Sequence, residues 1–217
     1  MSVESGNRGQ IDTHTPLTPC QRLSTPLPQH TMATRDYDIV IWGATGFTGK
    51  FVTAALAGNQ APFLSCTLPN SDGSVRGGLR YAIAGRNRAK LEQVASSCGC
   101  GPDVDILVAD ATDREAIAAF VCRTRCVVAA AGPFKQYSDV IVGECAAAGT
   151  HWVDTTGEAA WVRSVTDRYD DLARSTGAVI CSMCGFDSIP FDLGTLVSTS
   201  NGERGLEGAQ GGGEREV

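Results

Sequence analysis

The stretch Tyr37-Asp-Ile-Val-Ile-Trp-Gly-Ala-Thr-Gly-Phe-Thr-Gly49 decides the fold, because a short β-branched run delivers three glycines spaced GxxGxxG into a helix start. Such a run reads as a buried strand, and the glycines that follow read as a tight turn. Gly43 lets the strand turn sharply, Gly46 lets phosphates approach the backbone, and Gly49 lets the helix pack on the sheet. The helix start then offers N–H donors and the positive end of its dipole, which together suit a dinucleotide pyrophosphate. Ala44, Thr45, Phe47 and Thr48 complete this cradle.

Working outward, β-branched runs alternate with helical patterns, the signature of a parallel sheet covered on both faces. Six strands are expected, centred on Ile39 to Trp42, Tyr81 to Ala84, Asp105 to Val108, Val127 to Ala130, Trp152 to Asp154 and Val179 to Ser182. The fold class is α/β, a doubly wound, mostly parallel Rossmann sheet of about six strands. Thr112 and Glu115 form a candidate capping box, and Gly149 and Gly177 stand where helices should stop. Trp161, Val165, Tyr169 and Leu172 fall on one helical face, as core packing requires. The segment from Gly58 to Gly78, with Pro62, Pro69, Gly73 and Gly77, reads as a surface insertion.

Both ends of the chain look different. Residues 1–34 are rich in Thr, Pro, Ser and Gln without periodicity and are expected to be disordered, with Met32 as an alternative start. Arg8, Arg22 and Arg35 among many hydroxyl residues suit a transit peptide, but Glu4 and Asp12 and the lack of an amphipathic helix oppose it. Residues 198–217 are polar and Gly-rich and are expected to form a disordered tail, so the dinucleotide-binding domain is expected to span 35–197.

Composition narrows the partners. A formal net charge of -6 gives no basic footprint for nucleic acid. No apolar run in the sequence has the length that crosses a bilayer. Nine cysteines without a regular framework fit a reducing, intracellular and cytosolic setting. Cys181 and Cys184 form a CxxC pair, whose thiolates can share a zinc ion or form a disulfide, or can simply fill space beside a buried strand. Zinc needs two further ligands, and His14, His30 and His151 form no spaced pair, so no metal is expected.

The strand ends carry the chemistry. The second strand ends in Ala84-Gly85-Arg86-Asn87, where a dinucleotide fold inspects the adenosine ribose. An NAD site usually offers an acidic residue there; Arg86 instead suits a 2′-phosphate, so NADP is favoured over NAD. The third strand leads to Asp110 and Ala111, which can meet the adenine, although Asp110 is equally a turn residue. The fourth ends in Ala129-Ala130-Ala131-Gly132-Pro133-Phe134, where small residues leave room for nicotinamide beside Ala131, Gly132, Pro133 and Phe134. Candidate catalytic groups are Tyr137, as an acid or as a packed ring, and the pair Asp154 and Glu158, which can orient substrate or cap the next helix. Asp187 and Ser188 follow the sixth strand. Short-chain dehydrogenase chemistry is excluded, because no tyrosine has a lysine four residues on.

With GATGFTG, the run AGRNRAKL from Ala84, AAGPF before Tyr137, GTHWVDTTGE from Gly149 and CGFDSIPFDLG from Cys184, the sequence resembles the saccharopine dehydrogenase-like oxidoreductases. That family includes lipid-droplet-associated proteins and bacterial trans-acting enoyl reductases. The resemblance covers about Thr34 to Val197 and departs at Ser138, where the family tends to have glycine. It implies an NADP-type Rossmann domain followed by a substrate domain, nearly all of which lies beyond the GFDSIP motif and outside this chain. It implies hydride transfer to an activated C=C or C=N bond of a small-molecule or lipid-linked substrate, with Asp187 and Ser188 as positioning groups at the domain junction. The alternative is a truncated NADP-binding module or redox sensor without turnover. A homodimer, peripheral membrane association, and a lipid-droplet, membrane or mitochondrial location also follow from the resemblance alone. Without a companion domain, apolar surface should be exposed near Phe186, Ile189 and Phe191.

Overall fold

The computed structural model describes residues 35–58, 67–69 and 75–210. Along the chain these form β1 (Tyr37–Trp42), α1 (Phe47–Ala57), β2 (Thr67–Pro69), β3 (Val75–Gly77), β4 (Tyr81–Gly85), α2 (Arg88–Ser97) and β5 (Asp105–Val108). There follow α3 (Arg114–Val121), β6 (Thr124–Ala129), α4 (Phe134–Tyr137), α5 (Asp139–Ala148), β7 (His151–Asp154), α6 (Ala159–Thr176), β8 (Ile180–Cys181) and α7 (Ile189–Gln210). Six strands pair in the order β5-β4-β1-β6-β7-β8, every pair parallel. The sequence therefore winds outward from β1 in both directions, and the strand order reverses at the carboxyl ends of β1 and β6, where this fold receives its ligand.

β1 is central, and its alternating side chains feed two cores. Val40 and Trp42 point to the larger one, with Val127, Ile117, Phe120, Ile141, Trp152 and the Trp161, Val165 and Tyr169 stripe of α6. Ile41 joins the smaller one, with Ala44, Ile83 and Leu91, packed against α1 and α2. Val40 and Ile41 are both fully buried, which explains an uninterrupted apolar run rather than an alternating one. Gly149 and Gly177 end α5 and α6 in the left-handed conformation, each donating its N–H back to the helix.

At the amino edge of the sheet Arg35 is buried and ties four segments together. Its guanidinium donates to the carbonyls of Val121 (3.1 Å), Thr124 (2.5 Å) and Ala148 (2.6 Å) and to the Thr150 hydroxyl. The transit-peptide reading counted Arg35 among its basic residues; here it is a structural cation, and burial lowers its pKa.

Three local expectations need correction. The cap of α3 is Asp113, whose carboxylate accepts from Ala116 N (3.0 Å), while Thr112 instead donates to Asp110. The insertion between α1 and β4 contains the antiparallel pair β2–β3, two strands that no hydrophobic periodicity announced. Helix α7 continues to Gln210, past Val197, where the sequence reading ends the domain; residues 1–34 and 211–217 of the expected tails lie outside the described residues. Phe186 in the turn before α7, and Ile189, Phe191, Leu193, Leu196 and Val197 along its first half, are exposed, as the sequence reading anticipates around Phe186.

Candidate functional site: a dinucleotide cleft

A cleft of about 590 Å³ opens at the carboxyl ends of β1, β4, β5 and β6. Its floor is the β1–α1 turn. Gly43 has φ of 81°, and a side chain there would place its Cβ 2.6 Å from Ala131 Cβ. A Cβ on Gly49 would lie 2.2 Å from the Gly43 carbonyl oxygen, so α1 comes this close to the turn only because Gly49 has no side chain. The Gly46 N–H donates to the Gly43 carbonyl (2.9 Å) and closes the turn.

The starts of α1, α2 and α3, which follow β1, β4 and β5 along this edge, differ in one respect. Asn87 caps α2 by accepting from Lys90 N (3.0 Å), and Asp113 caps α3 in the same manner. At α1 the N-cap is Gly46, no side chain caps the helix, and no acidic residue stands in its first turn. The first-turn donors of α1 thus face the cleft without a protein carboxylate to compete for them, the electrostatic condition for binding an anion.

Arg86 borders the cleft from the end of β4, exposed, its guanidinium carbon 5.7 Å from the centroid of the Tyr137 ring. Asp110 faces it across the cleft mouth. The Asp110 carboxylate accepts from the Thr112 N–H (3.0 Å) and hydroxyl (2.7 Å), and these bonds, then the charge of Arg86, hold its pKa below the usual value. The β6 end contributes Ala130, Ala131 and Gly132, followed by a cis Gly132–Pro133 bond into α4.

Of the residues expected at the cofactor, Gly43, Thr45, Gly46, Phe47, Thr48, Gly85, Arg86, Asp110, Ala111, Ala131 and Gly132 line the cleft, as does Tyr137. Others serve the frame. Ala44 is buried in the smaller core, Gly49 packs α1 on the turn, Asn87 caps α2, Pro133 caps α4, and Phe134 is buried against Trp161 at 6.0 Å. Ala130, from the same small-residue strand end as Ala131, lines the cleft too, and Trp42, Thr112 and Gln136 line it without having been expected there. Trp42 sits at the end of the fingerprint strand, and its indole N–H donates to the Tyr137 carbonyl (3.1 Å), fixing α4 beside the glycine turn. Ser138, the residue that departs from the family's glycine, is buried with its hydroxyl directed at the Ala131 carbonyl (3.5 Å).

The paired carboxylates are committed to the fold. Asp154 is 1% exposed and accepts four hydrogen bonds: Trp152 Nε1 (2.7 Å) and Ser182 Oγ (2.7 Å) on one oxygen, Thr156 N and Met183 N (both 3.0 Å) on the other. Glu158 accepts from Phe134 N (2.6 Å) and Lys135 N (3.2 Å), so it caps the short α4 from a distance in sequence rather than α6, the next helix. Asp187 is exposed and Ser188 half-buried in the turn before α7, and neither lines the cleft.

The profile of the saccharopine dehydrogenase NADP binding domain matches residues 39–181, most of the strands and all of the cleft. The chain belongs to this family. NADP is accordingly its cofactor, and the glycine cradle, the side-chain-free cap of α1 and the cationic Arg86 fit that ligand. The chain is 38% identical over 162 residues to a trans-acting enoyl reductase of Mycobacterium tuberculosis, covering 74% of this chain and 35% of that protein. It is 34% identical over 163 residues to a lipid droplet localized protein of Caenorhabditis elegans, covering 73% and 35%. The chain thus spans about a third of the length of these relatives. Among solved structures, saccharopine dehydrogenase (L-Glu forming) of Saccharomyces cerevisiae shares the fold at a TM-score of 0.51 with 16% identity, covering 70% of this chain and 28% of that one. Among the described residues no helix is long and apolar enough to cross a membrane.

Proposed function

We propose that this chain is the NADP-binding part of an oxidoreductase that transfers hydride to an activated C=C or C=N bond, on a lipid-linked substrate. The observation that carries the proposal is the meeting of the uncapped α1 start and Arg86 in one cleft. NADPH, when bound, supplies the hydride. The backbone N–H groups opening α1 hold the pyrophosphate, and Arg86 pairs with the 2′-phosphate while Asp110 and Ala111 border the adenine. Ala130, Ala131 and Gly132 leave space for nicotinamide at the β6 end. The lipid-linked substrate is supported by the relatives, one named as an enoyl reductase and one as lipid droplet localized. The proposal is tested by following NADPH absorbance with the purified chain and an enoyl thioester of long acyl chain. Oxidation that depends on both protein and thioester supports it, and oxidation that is the same with and without the thioester, or no uptake of NADPH at all, overturns it.

A second reading, binding without turnover, is favoured by the commitment of Asp154 and Glu158 to the frame. Tyr137 is then the one remaining proton-donor candidate in the cleft lining from the sequence reading. In that reading Tyr137 stacks under Arg86 and serves cofactor binding only. Replacement of Tyr137 by Phe separates the two: loss of turnover at unchanged NADPH affinity marks an acid, and unchanged behaviour in both marks a packing ring.

A further inference from the structure

The CxxC pair is the motif that the cofactor cleft does not use. Cys181 ends β8 and is exposed; Cys184 lies one turn on, with its sulfur 3.3 Å from that of Cys181. A disulfide needs about 2.05 Å between sulfurs, so a side-chain adjustment of little more than an ångström closes the bond. The turn between them is built to hold this approach. Ser182 Oγ, Met183 N and Cys184 N all donate to Asp154, at 2.7, 3.0 and 2.7 Å, the last to its backbone carbonyl. Met183 is held at φ of 61°, a left-handed conformation that a side chain of its size avoids, and it is the only positive-φ non-glycine among the described residues. A pair that merely filled space beside the strand would require neither an exposed sulfur nor a strained residue between the two. Zinc is disfavoured on the ligand set, because among the described residues no group of three or more His, Cys, Asp and Glu side chains is placed to hold a metal.

We propose that Cys181 and Cys184 form a reversible dithiol–disulfide couple, a redox modification site that fixes the turn leading from β8 to α7. The order of attack follows from exposure. Cys181, the accessible sulfur, attacks a small-molecule disulfide such as oxidised glutathione as its thiolate, forms a mixed disulfide and expels one glutathione thiolate. Cys184 then loses its proton and attacks the Cys181 sulfur, expelling the second thiolate. Two protein thiols are oxidised by two electrons, one glutathione disulfide is reduced to two thiols, and the two protons leave with them. Burial first, then the hydrogen bond to Cys181, pushes the Cys184 thiol up to about 11, which suits the resolving rather than the attacking position. The inference rests on the turn alone and stands whether or not the chain turns over NADPH.

The test is a peptide map of the full chain equilibrated with graded ratios of oxidised to reduced glutathione, alkylated and digested with trypsin without reduction. The tryptic peptide Ser175–Arg204 contains Cys181 and Cys184 and no other cysteine. The expected result is that this peptide loses two hydrogens, escapes alkylation and is restored by dithiothreitol. In Cys184→Ser, glutathione should remain on Cys181. In Cys181→Ser, Cys184 should react with oxidised glutathione more slowly than Cys181 does in Cys184→Ser, because it is the less exposed sulfur. A peptide that stays doubly alkylated while other cysteines oxidise, or a wild-type chain that keeps glutathione on Cys181 beside an alkylated Cys184, overturns the proposal.

Discussion

Asp110 and Asp154 stand on the same edge of the same sheet, one just past β5 and the other ending β7, and they differ in what holds them. Asp110 is exposed, is oriented by Thr112 alone, and faces Arg86 across an open cleft. Asp154 is buried under four donors drawn from β7, its following turn and the β8 turn. The half of the edge built by β5, β4, β1 and β6 leaves donors and charges available, while the carboxylate that ends β7 is already saturated. Position at a strand end therefore does not make a carboxylate functional in this fold; the number of partners it already has decides.

The strongest way to break this contrast is to close the open half. In Gly49→Ala the new Cβ meets the Gly43 carbonyl oxygen at 2.2 Å and Ala44 Cα at 2.8 Å, both backbone atoms, so the turn itself must move. We expect a loss of about 3 kcal/mol, which corresponds to about a hundredfold in NADPH affinity where it falls on the cradle. Fluorescence titration with NADPH reads it directly, and unchanged affinity would show that the cradle does not carry the pyrophosphate.

Next in size is the closed half. Asp154→Asn keeps the shape but removes one acceptor oxygen, leaving an amide N–H₂ against the Trp152 and Ser182 donors or the Thr156 and Met183 amides. Stability should fall by about 2–3 kcal/mol, from unsatisfied buried donors, while NADPH affinity changes less than about twofold by the same reasoning on separate sites. Urea denaturation and NADPH titration on one preparation provide the check, and lost affinity at unchanged stability would move Asp154 into the ligand site.

Arg86→Asp gives a smaller and opposite pattern. The side chain is exposed and bonds no buried group, so the melting temperature should hold. NADPH affinity should fall by about ten- to thirtyfold through loss of a charge-assisted pair, with NADH affinity nearly unchanged. Equal losses for both nucleotides would deny Arg86 its 2′-phosphate role.

The six strands of the parallel sheet, the glycine turn and the Arg86 position are legible in the sequence because each is set by neighbours within a few residues: β-branched runs, a GxxGxxG spacing, a strand end. Asp154 and Glu158 are not legible for the opposite reason. Ser182 reaches Asp154 across 28 residues, and Glu158 caps a helix that begins 24 residues before it. No local pattern distinguishes such a carboxylate from one offered to a substrate. Asp113 displaced Thr112 as the α3 cap by a single position, a choice that rested on Asp110 claiming the Thr112 hydroxyl first.

The smallest effect tests whether saturation also governs the amino edge. His151 opens β7, and its Nδ1 accepts from the Val179 N–H (3.1 Å), so the neutral ring is the form that supports the β7–β8 junction. Burial, then the charges of Arg35 and Arg125, lower its pKa. A base whose folded pKa lies below its unfolded value binds fewer protons folded than unfolded, so its contribution to stability is complete above about pH 6.5 and is lost as pH falls through the folded pKa. Thermal melts should therefore drop by about 1–2 °C on acidification through that window, and the drop should shrink in His151→Asn, whose side-chain oxygen can accept the Val179 N–H without titrating. A melting curve that falls equally in both proteins would place the acid sensitivity elsewhere.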